Sequence, residues 1–296
     1  MDQQPVQVLI EAMRLAVTRL PDEVLGALQD AHQAESELGR TQLETMIANA
    51  EVASAEGLPL CQDTGLPTFR VLVGHEFPHR ADVGEWIRTA VRRATEEVPL
   101  RPNVVDLLTH RNTNDNTGRG VPMIDWEPVP GTDCRIDVLP KGGGSENCSA
   151  LRMLTPSEGF SGVKRFVAKH VASCGGRPCP PGFIGVGIGG GADTAMKLAK
   201  RSLYRPLGDP HPEPEIAALE TELLGLVNAS GLGPMGLRGR TTALAVHVEI
   251  ADRHPASYPV GLVYQCWAHR RATMEINAEG VASLVSAGGS IPGKDE

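Results

Sequence analysis

Apolar residues recur at helical spacing through the first fifty positions. Val8, Leu9, Met13, Val17 and Leu20 mark one run, and Val24, Leu25 and Leu28 mark a second. This is the pattern of helices with one buried face. Pro21-Asp22-Glu23 reads as the start of the second helix, with Pro early and acids in the first turn. A third helix is predicted over 35–55, so a helical N-terminal segment covers about 6–55. Beyond it the period changes. Strands are predicted over 67–73, 135–139, 183–188, 241–250, 260–266 and 271–276. Helices are predicted over 82–97, 161–173 and 193–204, and from the Pro-rich loop at 207–214 to about Asn228. Arg88, Arg92 and Arg93 read as the solvated face of the helix over 82–97. The predicted fold class is mixed α/β, of the α+β kind: a helical N-terminal segment followed by a sheet-and-helix domain. No repeat or clean linker divides the chain, so a single domain over 1–296 is expected, with a frayed tail at about 287–296.

Composition narrows the function. A net charge of −8 and only 4% aromatic residues argue against a nucleic-acid surface. No stretch approaches the roughly 18–20 continuous apolar residues of a membrane span. Met1-Asp2-Gln3-Gln4-Pro5 has neither a basic n-region nor an apolar h-region, so no signal peptide is read and a cytoplasmic protein is expected. Six cysteines in that setting favour reduced thiols over disulfides.

Three of those cysteines sit in special contexts. Cys61 opens Cys61-Gln62-Asp63-Thr64-Gly65, Cys179 opens Cys179-Pro180-Pro181-Gly182, and Cys266 ends an apolar run before Trp267-Ala268-His269-Arg270-Arg271. None has a second cysteine two or three residues away, whereas zinc knuckles pair their ligands tightly. Three isolated thiolates suit a cubane iron–sulfur cluster with one iron left without a protein ligand. His170, Cys174 and Cys179 form a competing zinc set that lacks a fourth ligand. Cys134 reads as a buried structural cysteine.

Other motifs remain open. Gly185-Val-Gly-Ile-Gly-Gly190 matches a dinucleotide fingerprint, but the helix after it runs into a Pro-rich loop rather than an acid-terminated parallel strand. A backbone-amide nest for a carboxylate, or simple close packing, fits those glycines better. Lys141-Gly-Gly-Gly144 lacks a P-loop ending; glycine there would let a ligand approach the main chain. Asp63, two residues from Cys61, is a candidate general base, an orienting group or only a turn former. His254 follows a strand and is a candidate catalytic residue.

Taken together, these stretches resemble the N-terminal catalytic half of class I fumarases, the oxygen-sensitive iron–sulfur hydro-lyases, a family that also contains tartrate dehydratase. The likeness runs from about 8 to 285 and includes Leu100-Arg-Pro-Asn103, Asp115-Asn-Thr-Gly118 and Lys141-Gly-Gly-Gly-Ser-Glu-Asn147. It implies that Cys61, Cys179 and Cys266 ligate a [4Fe-4S] cluster. It implies that Gln62, Arg101 and Gly143 bind the dicarboxylate, that Asp63 belongs to the proton-transfer machinery, and that His254 lies near the substrate. Single-chain members carry a further C-terminal domain, so the resemblance implies an α subunit whose site is completed by a β subunit, with homodimerisation of α. Cys148 stands where fumarases more often carry Met. Ser145-Glu146-Asn147 and Arg101-Pro102-Asn103 favour fumarate and L-malate, with tartrate to oxaloacetate as the alternative.

Overall fold

The computed structural model describes residues 3–285; the tail expected at 287–296 lies outside the described residues. In chain order the elements are α1 (Gln3–Thr18), α2 (Asp22–Ala34), α3 (Glu37–Glu56), β1 (Thr68–Gly74), α4 (Val83–Glu97), β2 (Met123–Val129) and β3 (Cys134–Val138). There follow α5 (Gly143–Glu146), β4 (Ala150–Leu154), α6 (Gly159–Cys174), β5 (Gly182–Ile188), α7 (Ala192–Ser202) and α8 (Pro214–Asn228). The last are β6 (Ala243–Ile250), β7 (Tyr258–Gln265), β8 (Ala272–Ile276) and β9 (Ala282–Val285). The class is mixed α/β with a helical start, and no described helix is long and apolar enough to cross a membrane.

The chain forms two compact units. Among the described residues the first holds the chain up to Pro21, Ala50–Gly142 and everything from Arg270 onward. Its five-stranded sheet has the order β2-β1-β3-β8-β9. β1 and β2 are parallel, joined through α4, and the other pairs are antiparallel. Leu9, Ile10 and Met13 of α1 and Trp86, Ile87 and Val91 of α4 bury against Phe69, Val71, Ile136 and Met274 of the sheet. The periodic apolar stripe of α1 is thus the packing face that the sequence predicts.

The second unit holds Asp22–Asn49 and Gly143–His269, with the sheet order β4-β7-β5-β6. β5 is buried at every residue and uses its two faces differently. Ile184, Val186 and Ile188 join Val163 and Val167 of α6 and Leu219 and Leu223 of α8 in one core. The alternate positions are Gly185 and Gly187, and α7 lies directly on them. A Cβ on Gly185 would stand 2.1 Å from the Ala199 carbonyl oxygen, and one on Gly187 would stand 2.0 Å from that of Ala195. The glycine fingerprint is therefore a helix-packing surface. Nor is a nest offered there, because Gly189 N donates to Pro259 O at 3.0 Å and Gly190 N to Asp252 O at 2.9 Å.

Three strands escape the sequence pattern. β2 and β9 are sheet edges, and β4 is one edge of the second sheet, exposed at Leu151, Arg152 and Met153. β2 also carries Pro128, which weakens any strand reading. The end of the Lys141–Gly144 glycine run opens the single turn α5, pinned by Lys200 Nζ on Glu146 at 2.8 Å and by Ser145 Oγ on Gln265 at 3.5 Å.

At the α2–α3 junction Glu35 is 3% exposed. Its carboxylate accepts from the amides of Ser36 at 2.7 Å, and of Arg240 and Thr241 at 2.8 Å. Burial raises its pKa, but these amide donors outweigh burial and hold it below the usual 4.5. Because the folded pKa lies below the unfolded one, this stabilisation is complete above 4.5 and is lost as pH falls through the folded pKa. Glu35→Gln should lower stability at neutral pH by about 1–3 kcal/mol. It should also flatten the acid limb of the thermal-unfolding profile; an unchanged limb refutes the assignment. Gly187→Ala should destabilise by about 1–3 kcal/mol through the clash with α7. Gly26→Ala, with open space in α2, should instead stabilise by about 0.5–1 kcal/mol, and denaturant titration of both glycine variants checks the two signs.

Candidate functional site

In the first unit the Cys61–Gly65 loop is docked on the strand segment ahead of α5. Leu66 N donates to Lys141 O at 2.9 Å, and Lys141 N donates to Leu66 O at 3.1 Å. Gly65 has φ +83°, and a Cβ there would sit 2.7 Å from Lys141 N, so only glycine fits both the turn and the approach. Asp63 Oδ1 accepts from Gly65 N at 3.0 Å. A turn role for Asp63 is therefore present, and it orients the carboxylate. Its Oδ2 lies over Gly142, where a Cβ would be 2.9 Å away. The glycine that makes room for this carboxylate is Gly142; Gly143, which the resemblance places at the substrate, is exposed at the start of α5 in the second unit.

Arg101 reaches the same loop through its backbone. Arg101 N and Asn103 Nδ2 donate to Thr64 Oγ1 at 3.0 Å and 3.4 Å. Asn116, 1% exposed, accepts from Asn103 N at 2.7 Å and donates to Arg101 O at 3.0 Å. The backbone is clamped while the Arg101 side chain stays at the surface, as does Gln62, whose Oε1 accepts from Cys61 Sγ at 3.4 Å. Thr64, Asn116 and Gly142 carry no chemical signature, so sequence reasoning passed over them. Arg270 does not stand out by type within Cys266–Arg271, yet its Nη2 donates to the Asp63 carbonyl at 2.6 Å.

In the second unit the structure joins the loops of Cys179 and Cys266. Trp267 N donates to Cys179 O at 3.1 Å. Cys179 has φ +54°, and its own amide closes a turn on Gly176 O at 3.0 Å. Met235 N on Pro180 O at 2.7 Å and the stack of His269 on Phe183, centroids 4.2 Å apart, brace the pair. Burial pushes the Tyr264 phenol up, and the thiols of Cys174, Cys148, Cys266 and Cys179 around it add to the shift.

His254 lies beyond the opposite end of β7. The strand between it and Cys266 spans Tyr258–Gln265, roughly 23 Å at about 3.4 Å per residue. Its Nδ1 accepts from Ala256 N at 3.1 Å, and Arg253 ties the loop by donating to the carbonyls of His254, Pro255 and Ser257.

None of the six cysteines forms a disulfide, and they fall into two classes. Cys134, Cys148 and Cys174 are 0%, 1% and 2% exposed. Burial pushes the Cys134 thiol up to about 12. It does the same to Cys174, which reaches about 11 with help from Cys148. Cys148 is thus a core residue, packed with Cys174 beside His170, whose Nε2 is 3.6 Å from Cys174 Sγ. Cys61, Cys179 and Cys266 are only partly buried, each on a loop. Reduced, accessible thiols of that kind are the donors an iron–sulfur cluster takes. Among the described residues no three His, Cys, Asp or Glu side chains converge on a single metal ion, which leaves the zinc set His170, Cys174 and Cys179 unassembled. A cubane asks for no such convergence, since each thiolate holds its own iron.

The model of the fumarate hydratase (Fumerase) family matches residues 6–275. The chain belongs to that family. It is also 47% identical, over 277 residues, to the putative L(+)-tartrate dehydratase subunit alpha of Methanocaldococcus jannaschii, covering 92% of this chain and 97% of that one. The L(+)-tartrate dehydratase subunit alpha of Escherichia coli is 40% identical over 264 residues, 88% of this chain and 87% of its own. That of Shigella boydii is 39% identical over the same length. These relatives are named as dehydratase subunits, and their family is one of hydro-lyases.

The two cysteine classes make a direct prediction. In the native apo chain a water-soluble disulfide reagent should titrate Cys61, Cys179 and Cys266 quickly. Cys134, Cys148 and Cys174 should react at least ~100-fold more slowly, until denaturant is added. Mass mapping of the labelled cysteines checks it, and early labelling of Cys148 would contradict the partition.

Proposed function

We propose that the chain is the cluster-bearing α subunit of a two-subunit hydro-lyase that eliminates water from a four-carbon hydroxy-dicarboxylate. The observation that carries this reading is the Cys61–Gly65 loop, which presents a thiol and an oriented carboxylate two residues apart. Cys61, Cys179 and Cys266 would hold the [4Fe-4S] cluster. When bound, such a cluster supplies a Lewis acid at the iron without a protein ligand. Asp63 takes the proton from the carbon next to a substrate carboxylate, and its tie to the Gly65 amide keeps the accepting oxygen oriented. Arg101, on its clamped backbone, offers planar donors that match a carboxylate bidentately. Gln62 and the exposed main chain at Gly143 add polar contacts. His254 has no step in this scheme, because a strand's length separates it from Cys266 of its own chain. The β subunit, which the relatives' names as alpha subunits imply, supplies the rest of the site.

L(+)-tartrate is the first substrate, supported by the names of the 47% and 40% identical relatives; its dehydration gives the enol of oxaloacetate. Fumarate and L-malate are the second reading, supported by Ser145-Glu146-Asn147 and Arg101-Pro102-Asn103.

The test is anaerobic co-expression with the β subunit, reconstitution with iron and sulfide, and parallel assays on L(+)-tartrate, L-malate and fumarate. Oxaloacetate from tartrate, with malate slower, is expected. An intact cluster and bound β subunit with no turnover of any of the three would exclude the reading. Asp63→Asn should keep the iron and sulfide content and lose about 10²–10⁴-fold in kcat; a wild-type rate would remove Asp63 from the chemistry.

A further inference from the structure

Arg270 is the bulkiest of the fully buried side chains, at 2% exposure. Its Nη2 is used by the Asp63 carbonyl at 2.6 Å. Its Nε and Nη1 have no hydrogen-bond partner, and no carboxylate pairs with it, among the described residues. A guanidinium stays charged at any working pH, so it cannot escape burial by losing a proton as a lysine could. A buried charge without a counter-charge is strongly destabilising. The polypeptide therefore encloses a cation whose counter-charge it does not itself supply.

The position of Arg270 says which anion. Its one bond is to the loop that carries Cys61 and Asp63, and in sequence it follows Cys266 by four residues. Substrate would have to reach a side chain that is almost wholly enclosed, whereas Arg101 presents its guanidinium at the surface. A trapped water would satisfy one N–H and leave the charge. A four-iron cluster held by three thiolates is a net anion, because three negative sulfurs outweigh a core of two positive charges. Its sulfurs accept hydrogen bonds, and such bonds tune its potential.

We propose that Arg270 is the counter-charge of the cluster. Its Nε–H and Nη1–H donate to cluster or cysteine sulfur, while Nη2 fixes the Cys61 loop through the Asp63 carbonyl. This rests on the cluster assignment above. It gives Arg270 a positioning and electrostatic role, with no contact to substrate required.

The consequence is a change of sign between the empty and loaded protein. Arg270→Met replaces the unpaired cation with an apolar chain of similar length. The empty variant should unfold at a temperature no lower than the empty wild type. The reconstituted variant should lose iron in air about tenfold faster than wild type, the factor expected for one lost charge-assisted hydrogen bond. Its reduction midpoint, followed by electron paramagnetic resonance, should shift to more negative values, since a nearby positive charge no longer favours the added electron. Equal midpoints and equal iron-loss rates in wild type and variant would overturn the proposal. If Arg270→Met does not fold, Arg270→Gln decides, because it keeps a donor but not the charge: a negative shift supports the counter-charge, and an unshifted midpoint rejects it. Wild-type chain that takes up neither iron nor sulfide would instead overturn the cluster assignment itself, a result distinguishable from failure of the Arg270 role.

Discussion

Two backbone hydrogen bonds, between Leu66 and Lys141, hold the arrangement on which the candidate chemistry depends. They bring the Cys61–Gly65 turn down onto a strand end closely enough that residue 65 has no room for a side chain. Once docked, the turn aims Asp63 over Gly142 and offers the Thr64 hydroxyl to the Arg101–Asn103 backbone. Asn116 then closes the lattice from behind. The polar groups that do the holding are satisfied against one another, which is what rigidity around a reacting centre requires. Exposed Arg101 and Gln62 side chains stand on this clamped main chain, so adaptable ends rise from a fixed base.

A different constraint governs the second unit. Gly185 and Gly187 let α7 rest on the backbone of β5, and Gly261 admits it to β7, where a Cβ would lie 2.6 Å from the Ala195 carbonyl. The opposite face of β5 carries Ile184, Val186 and Ile188 into the core with α6 and α8. This two-sided burial fixes the end of the sheet at which the Cys179 and Cys266 loops meet, joined by the Trp267–Cys179 bond. The same antiparallel register carries His254 to the other end. A run that resembles a nucleotide fingerprint is here a device for close packing, because the test of such a motif is what the glycines face.

The sorting of six thiols into buried and accessible groups ties fold to chemistry. Identical side chains differ because burial encloses Cys134, Cys148 and Cys174 and pushes the Cys134 and Cys174 thiols up, while loop positions leave Cys61, Cys179 and Cys266 partly open to solvent. His170 and Cys174 look like ligands by spacing, yet Cys174 packs into the core of the second unit with Cys148, and partly buried His170 bonds the Cys148 carbonyl at 2.8 Å.

Helical periodicity from Val8 to Leu28, the buried run over 183–188 and the isolated, motif-bound cysteines were legible in the chain itself, because each is written in local residue type and spacing. The long motifs also carried the family. The edge strands β2, β4 and β9 were not legible, since an edge strand has few buried positions and takes its shape from its neighbour. Nor were the parts played by Thr64, Asn116, Gly142 and Arg270. A threonine hydroxyl, an asparagine amide or a missing Cβ has meaning only against the group that packs on it, and those groups lie 13 to 207 residues away. Sequence by itself determined which residue types were present for the proposed cluster and acid–base chemistry. Tertiary structure decided which of them are held, which are buried out of reach and which stand a strand's length apart, because hydrogen-bond partners and burial exist only once distant segments meet.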